Sequence, residues 1–318
     1  MRSLSDHVRS RLRCPVCKSL LTAQFQCTNA PCGVQFPVVD GIPILIDERT
    51  SIFALSDFTN KRPTFFNPNN SRFRDKVARL LYENTTDLKT AEFLSKFSEL
   101  LTAFSPAPTV LVIGAGTNSA PLQLLQMRGA ADLVVTDVSL SGDLSMVCDA
   151  HDLPFEDATF DGVVAQAVLE HVVDPYRCVK EIHRVLRSGG VVFSDTPFMQ
   201  QVHGGRYDFT RFTHLGQRRL FREFEEVESG ASAGPGLALS WSYQYFLTSF
   251  ATSRWMTRLL RVFAKLTSFW WKYFDRHLLD KPGALDAAST IYFIGRKSDR
   301  VLDDRSLIDS YRGANQRF

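Results

Sequence analysis

Four cysteines near the start of the printed sequence are spaced as metal ligands commonly are. Of six cysteines, these four form two pairs, Cys14-x2-Cys17 and Cys27-x4-Cys32. Four thiolates complete a tetrahedral shell around Zn²⁺ and leave no position open for chemistry. A segment of about 45 residues also needs such a staple, because its apolar core alone is too small to stabilise it. The spacing therefore predicts a structural zinc site, with a loop of free thiols as the alternative.

A glycine turn and an acidic residue mark a second candidate site. The apolar run 109–113 predicts a buried strand that leads through Gly114 and Gly116 into a helix. Glycines let the backbone approach a ligand closely, and a helix N-terminus offers free N–H groups. Asp137 ends the next predicted strand, where a carboxylate can accept both hydroxyls of a ribose. A dinucleotide site begins in the same way, but Asn118 replaces the third glycine, which disfavours a pyrophosphate cradle.

The segment from Val110 to about Phe221 resembles the type 11 group of class I S-adenosylmethionine-dependent methyltransferases. Its landmarks follow the glycine turn in this order: Asp149-Ala-His-Asp-Leu-Pro154-Phe155, Phe160-Asp161, Leu169-Glu170-His171-Val-Val-Asp174-Pro175, and Glu181-Ile-His-Arg184 before Gly189-Gly190. Each landmark is weak alone, but the ordered series is specific. The stretch 36–46, with a turn at Asp40-Gly41, resembles the small zinc-ribbon family of methyltransferase activator subunits, here fused to the catalytic domain.

The resemblance implies roles around the cofactor S-adenosyl-L-methionine. The two glycines of the turn would pass under its methionine part, and Asp137 would hold the ribose. Asp149 and Ala150 would meet the adenine edge, and Gln166 would lie near the methionine and the sulfonium. A cation held at its ribose and carboxylate ends would point its methyl group into a substrate pocket.

Strand and helix patterns alternate from residue 109 to about 230, which predicts a doubly wound, parallel α/β sheet. The resemblance implies a Rossmann-like, seven-stranded methyltransferase sheet. We predict helices over 119–127 and 176–186, the second stopped by Gly189-Gly190, and strands over 160–166 and 191–194.

Composition divides the chain into four parts. These are a zinc-ribbon module over 1–50, a linker and helical lead-in over 51–108, a methyltransferase domain over 109–297, and a polar tail over 298–318. A helical, aromatic insertion over 231–288 precedes the last strand of the domain. If ribbon and domain are separate modules, loss of zinc should leave cofactor binding largely intact.

The candidate substrate residues follow the predicted fifth strand. His203 is the best-placed general base there, and His171 is the second, because deprotonating a hydroxyl needs a group that titrates near neutral pH. The alternative for His203 is a structural hydrogen bond that holds the loop. A structural role is also the alternative for His171, which lies in a landmark shared by enzymes with very different substrates. Tyr207, Asp208 and Arg211 either hold the acceptor or pin the loop by an internal ion pair. This segment resembles one in bacterial type 11 enzymes linked to polysaccharide and other sugar pathways.

A basic amphipathic helix is predicted over 254–274. Arg254, Arg258, Arg261 and Lys265 repeat at four- and three-residue steps, and the tryptophans lie on the apolar side. Such a helix suits a membrane interface, although its charges exclude a simple spanning segment. The alternatives are a lid on the catalytic domain or a homodimer face.

The sequence therefore predicts an enzyme that methylates a hydroxyl or carboxyl of a small-molecule or glycan-type acceptor, with a lipid-linked acceptor as one version. A zinc-ribbon RNA base methyltransferase is a rival, but the ribbon has no basic run and the net charge is only +3. A catalytically silent scaffold is a second rival. Residues 1–13 lack the apolar core of a signal peptide, so we expect the cytoplasm, with peripheral contact to the inner face of the membrane as an option.

Overall fold

The computed structural model describes residues 3–62, 64, 89–116, 132–140 and 143–314. Within these ranges the strands are β1 Val38–Val39, β2 Ile42–Leu45, β3 Thr109–Ile113, β4 Asp132–Asp137, β5 Met146–Cys148, β6 Phe160–Gln166, β7 Leu186–Pro197, β8 Phe224–Ala233 and β9 Thr290–Lys297.

The α-helices of the same ranges are α1 Asp6–Ser10, α2 Leu55–Thr59, α3 Thr90–Phe104, α4 Pro175–Val185, α5 His214–Leu220, α6 Pro235–Thr248, α7 Arg254–Ser268, α8 Asp275–Leu278, α9 Pro282–Ala287 and α10 Asp304–Asp309. Short 3₁₀ turns cover Gly205–Tyr207 and Trp271–Phe274. The helix predicted over 119–127, together with Asn118, lies outside the described residues.

The described strands form one sheet in the order β1-β2-β5-β4-β3-β6-β7-β9-β8. Six neighbouring strands are parallel to one another, namely β2, β5, β4, β3, β6 and β7. Strand β9 runs antiparallel to both of its neighbours, β7 and β8. Every residue of β3 is buried, as expected for an apolar strand covered on both faces of a parallel sheet. The doubly wound α/β class is thereby confirmed, with an antiparallel end.

The prediction of seven strands is wrong, because the sheet has nine in the described residues. The two additional strands are the hairpin β1–β2 of the N-terminal module. Asp40 and Gly41 both have positive φ, 51° and 84°, which is the backbone of a tight two-residue hairpin turn. Strand β2 then pairs in parallel with β5, Ile44 opposite Val147, and covers what would otherwise be an open sheet edge.

The N-terminal module shares its core with the rest of the sheet. Cys14, Cys27 and Phe36 belong to the same buried apolar cluster as Leu111 and Val163. Backbone bonds join the two regions as well, from the N–H of residue 13 to the carbonyl of residue 154 at 2.9 Å, and from the N–H of residue 156 to the carbonyl of residue 11 at 2.8 Å. The module is therefore packed into the domain and not tethered beside it.

Helix α4 ends for a different reason than the one predicted. It begins at an Asp174 cap, whose side chain accepts the N–H of Arg177, and at Pro175 in its first turn. It ends at Val185 because Leu186 is already extended, with φ −75° and ψ 141°. Strand β7 starts there and contains Gly189-Gly190, so these glycines do not stop the helix.

The other end of the sheet carries β8, which the sequence did not reveal, and the helical segment from α6 to α9. Helix α7 packs against α6, with the Ser268 and Ser240 hydroxyls 2.9 Å apart. The segment after residue 298 contains α10, and its Arg312 lies 2.8 Å from the Glu226 carboxylate on β8. None of the helices within the described ranges is both long and apolar enough to cross a membrane.

Candidate active site

The glycine turn follows β3 at the carboxyl edge of the parallel strands. The N–H of Gly114 donates to the carbonyl of Thr136 at 2.9 Å, which ties the turn to β4. Gly114 has φ +66°, and a Cβ added to it would lie 2.4 Å from a methyl group of Val168. Only glycine is accommodated there, because any other side chain would have to displace a buried branched neighbour.

Asp137 ends β4 beside this turn and is buried. One carboxylate oxygen accepts the N–H of Gly116 at 2.7 Å, and the other accepts the N–H of Ser139 at 2.8 Å. Burial raises the pKa of this carboxyl, and these N–H donors partly oppose the rise. A carboxylate has about four acceptor positions, so further donors such as ribose hydroxyls can still be received.

Asp149 follows β5 and is fixed by two neighbours. It accepts the His151 ring N–H at 2.5 Å on one oxygen and the Ser51 hydroxyl at 2.5 Å on the other. Although burial raises the pKa of Asp149, the hydrogen bonds from His151 and Ser51 lower it overall. His151 in turn accepts the N–H of Asp174 at 3.0 Å, so the loops after β5 and β6 are joined.

A cleft with about 670 Å³ of atom-free space opens beside these loops. Among the predicted cofactor residues, the lining includes Gly114, Asp137, Asp149 and Ala150. In the described part of the chain, Gly116 and Gln166 are not among the lining residues. The cleft lies outside the carboxyl ends of β3, β4 and β5, where ligands bind in sheets of this kind.

Two lining residues come from a segment that the sequence identifies only as a linker. Ile52 and Phe53 line the cleft, and the Phe53 ring stacks on Tyr207 with centroids 5.8 Å apart. The sequence does not identify these two residues, because no turn signal or hydrophobic periodicity distinguishes them from the rest of the linker. The one available signal is that two large apolar residues follow directly after the cysteine-rich module.

The two predicted bases meet at one end of the cleft. The rings of His171 and His203 pack edge to face, with centroids 4.9 Å apart, and His171 lines the cleft. Burial lowers the pKa of His171 to about 4 and also lowers the pKa of His203. Between them lies Glu170, which is fully buried, and burial raises its pKa to about 8. Glu170 belongs to a landmark of the family resemblance, for which the sequence predicts no separate role.

The loop after β7 is pinned internally. Asp208 accepts the backbone N–H groups of His203 and Gly204 at 2.8 and 3.0 Å and forms an ion pair with Arg211. Arg211 also donates to the carbonyl of Gln200 at 2.8 Å. Burial raises the pKa of Asp208, but Arg211 and the two N–H donors lower it well below its usual range. The ion pair is present, and acceptor binding by Tyr207, Asp208 and Arg211 stays a prediction.

The four N-terminal cysteines converge. Their sulfur atoms all lie within 4.8 Å of one another, with Cys17 and Cys27 at 3.4 Å and Cys14 and Cys32 at 3.9 Å. Sulfurs about 2.3 Å from one tetrahedral ion are separated by about 3.8 Å, so the donor set fits Zn²⁺. A hydrogen bond from Ser19 lowers the pKa of Cys17 to about 6, whereas burial raises the pKa of Cys14 to about 12 and also raises that of Cys27. The fit to zinc therefore rests on the convergence of the four sulfur atoms.

The glycine turn, the acid at the tip of β4 and the cleft are arranged as in nucleotide-binding domains of the doubly wound α/β class. Comparison with known families makes this specific: residues 111–194 match the type 11 methyltransferase domain. This part of the chain is therefore similar to a methyltransferase domain.

Relatives named as methyltransferases match about a quarter of the chain. The 2-methyl-6-phytyl-1,4-hydroquinone methyltransferase 2 of Oryza sativa subsp. japonica is 35% identical over an alignment of 94 residues, and the alignment covers 26% of this chain and 27% of the relative. A demethylmenaquinone methyltransferase of Symbiobacterium thermophilum is 36% identical over 91 residues, 29% and 34% of the two chains. The match thus spans about a third or less of these relatives.

Among solved structures, the geranyl diphosphate C-methyltransferase from Streptomyces coelicolor A3(2) is 14% identical. The comparison covers 74% of this chain and 88% of that one, with a TM-score of 0.45.

Proposed function

We propose that the protein is an S-adenosylmethionine-dependent methyltransferase that holds its cofactor in the cleft. The observation that carries the proposal is the buried Asp137 carboxylate, placed beside a turn where only glycine fits at Gly114. Asp137 would accept the ribose hydroxyls, and Asp149 with Ala150 would meet the adenine edge. When bound, the cofactor supplies a methyl group activated by a sulfonium. The residues at the His171 end would position the acceptor for in-line attack.

Transfer of labelled methyl groups tests this function. The full chain is incubated with cofactor labelled in its methyl group and with fractionated cell extract. The proposal expects label in a product that is absent without the protein and strongly reduced with the Asp137→Ala variant. A folded, cofactor-loaded chain that transfers no label to any fraction would point to the silent scaffold instead.

We further propose that α7 docks on an anionic membrane surface. Ala264 and Ser268 are buried on one side of the helix, toward α6. Trp255, Leu259 and Leu266 lie on the opposite side and are 65%, 58% and 60% exposed. In the described residues this apolar face covers no part of the catalytic domain, which argues against a lid.

The charges of α7 favour a membrane over a second copy of the chain. The helix contains no acidic residue, and its exposed Arg254, Arg258 and Arg261 form a stripe beside the apolar face. An anionic surface complements such a stripe, and each basic residue there contributes about 1 kcal/mol. An isologous dimer would instead place two like-charged stripes at one interface.

Vesicle co-sedimentation tests the docking. We expect binding to phosphatidylserine-containing vesicles that weakens with salt and is lost when Arg254, Arg258, Arg261 and Lys265 are changed to Glu. The matched control reverses the same number of exposed charges elsewhere, at Arg9, Lys96, Arg300 and Arg305, and should retain binding. Wild-type protein that stays in the supernatant, or a control that loses binding equally, would contradict the proposal. A concentration-dependent dimer would then identify α7 as a homodimer face.

Helix α7 packs on α6, and Ser242 of α6 accepts a hydrogen bond at 2.9 Å from Gln201 in the loop that contains His203. A membrane-docked α7 therefore favours an acceptor with an apolar anchor. We infer a lipid-linked small molecule or glycan that carries the methylated hydroxyl or carboxyl. The relatives named for phytyl-hydroquinone and demethylmenaquinone substrates support an acceptor of this type. In the labelling experiment, the product should partition into organic solvent. Label in the aqueous fraction would indicate a free sugar or small molecule, and label in RNA would indicate the base-methylating alternative.

A further inference from the structure

The strongest unexplained feature is the carboxyl group of Glu170. The side chain is fully buried, and neither carboxylate oxygen has a hydrogen-bond partner among the described residues. Buried polar groups in proteins are nearly always paired, so an unpaired carboxylate calls for a partner that the polypeptide does not supply.

The rings of His171 and His203 both point their Nε2 nitrogen toward this carboxyl group. The Nδ1 of His171 lies 2.7 Å from the carbonyl oxygen of Tyr207 and therefore donates its N–H there. The Nδ1 of His203 faces the carbonyl of Gln201 at 3.4 Å and the Asp208 carboxylate at 3.6 Å. These acceptors assign the hydrogen of both rings to Nδ1. The lone pairs are then on the Nε2 atoms.

Both Nε2 atoms face one oxygen of Glu170, at 3.7 Å for His171 and 3.9 Å for His203. These separations are too long for hydrogen bonds. They are close to the separation of two ligands of one metal ion. Ligand atoms about 2.1 Å from a tetrahedral ion lie about 3.4 Å apart.

We propose that Glu170, His171 and His203 form a divalent-cation site at the acceptor end of the cleft. The three ligand atoms lie within 4.8 Å of one another, so small side-chain movements bring them onto one ion. Hydrogen bonds from the far nitrogen of each ring to an oxygen are typical of metal-bound histidines, because they fix the tautomer. Two imidazoles and a carboxylate suit Zn²⁺, Fe²⁺, Ni²⁺ or Co²⁺.

Three protein ligands leave at least one coordination position open, unlike the four cysteines. His171 lines the cleft, so an open position there can receive an oxygen of the methyl acceptor. That use of the ion rests on the proposed methyltransferase function, whereas the binding of the ion does not. In this arrangement the two histidines hold a cation and are not the bases predicted from the sequence.

Cobalt binding tests the site. The full chain, with zinc in its cysteine cluster, is dialysed against Co²⁺, and both metals are counted by elemental analysis. We expect one Co²⁺ per chain in addition to one Zn²⁺. Glu170→Gln should abolish the Co²⁺ binding, and His203→Ala should weaken it more than about tenfold. The control His183→Ala should bind Co²⁺ as the wild type does, because His183 instead contacts Ser298 and Glu223.

A wild type that holds no cation beyond the cysteine cluster would overturn the proposal, as would equal Co²⁺ affinity in Glu170→Gln. Glu170→Gln removes a buried, unpaired acid, so it should fold, and its thermal unfolding is measured alongside. Cofactor binding is titrated separately. Failure of the metal site with intact cofactor binding rejects only the cation, and the reverse result rejects only the methyltransferase function.

Discussion

The two ends of the sheet differ in how far their apolar and hydrogen-bonding surfaces are covered. At one end, the β1–β2 hairpin closes the edge of β5, and the cysteine cluster beside it packs into the shared core. At the other end, β8 is followed by α6 and α7, and the apolar face of α7 is left exposed. In the described residues, the first end is covered by the chain itself, and the second has an apolar helix face exposed to solvent.

This difference separates surfaces that the chain must cover for its own stability from surfaces that it can leave exposed. A β edge leaves unpaired N–H and carbonyl groups along its length, so covering it stabilises the fold directly. An exposed apolar helix face stabilises nothing in the isolated chain and has value only when a partner covers it. The two ends should therefore respond very differently to mutation.

The largest effect is expected at the cysteine end. Cys17→Ser should lose zinc, whose binding to structural sites contributes about 10–16 kcal/mol to folding. Because β2 pairs with β5 and Ser51 bonds Asp149, we expect cofactor affinity to fall more than about tenfold as well. The sequence alone predicts instead that cofactor affinity is unchanged after the loss of zinc, because it treats the ribbon and the catalytic domain as separate modules. Zinc content, unfolding and cofactor calorimetry are measured on the same sample.

Cys178→Ala is the matched control, because Cys178 is a buried cysteine on α4 outside the cluster. It should keep its zinc and its cofactor affinity. A zinc-free Cys17→Ser chain with wild-type affinity would restore the view of two independent modules.

An intermediate effect on folding stability is expected when acid protonates His214, which contacts Ser229 on β8. Its Nε2 lies 2.8 Å from the Ser229 hydroxyl and 2.9 Å from Arg312, and burial and Arg312 lower its pKa to about 4. Since the unfolded chain binds this proton more readily, stability is complete above about pH 6.5 and is lost as the pH falls toward 4. The loss between pH 7.5 and pH 5 is about 2 kcal/mol.

Urea unfolding at both pH values checks this effect. His214→Gln should show a smaller acid loss than the wild type, by about 2 kcal/mol. An equal loss in the two proteins would show that His214 is not held neutral in the fold.

The smallest effect is expected on the exposed face of α7. Changing Leu259 and Leu266 to Ser should alter the free energy of unfolding by only about 0.5 kcal/mol, while vesicle binding is lost. Ala264→Leu, which enlarges a buried residue of the same helix, should cost about 1–3 kcal/mol. A loss above about 2 kcal/mol in the double Ser variant would mean that this face is covered in solution.

The sequence predicted the features whose signals are local. The cysteine spacing, the Asp40-Gly41 turn and the apolar strand 109–113 each follow from neighbouring residues. The seven-strand prediction failed because the pairing of Ile44 with Val147 joins residues far apart in the chain. The misassigned stop at Gly189-Gly190 has a similar cause, since the pairing of β7 with β6 overrides local glycine preference.

The residues of the candidate site also divide into those with a local sequence signal and those that only the tertiary structure brings together. Asp137 and the glycine turn were predicted because strand ends are visible in the sequence. Phe53 was not, because only the tertiary fold brings it to the cleft. The role proposed for Glu170 also depends on its burial and on His203, which comes from another loop, and one sequence motif shows neither of these.

Calorimetric titration of the zinc-loaded chain with S-adenosylmethionine tests the central claim most directly. We predict one site of micromolar affinity, weakened about 10- to 150-fold in a folded Asp137→Ala variant, since one charge-assisted hydrogen-bonding partner of the ribose contributes about 1.5–3 kcal/mol. NAD should give no binding signal in the same cell. Unchanged affinity in Asp137→Ala would contradict the ribose assignment, and tight NAD binding without S-adenosylmethionine binding would contradict the assignment of the cleft altogether.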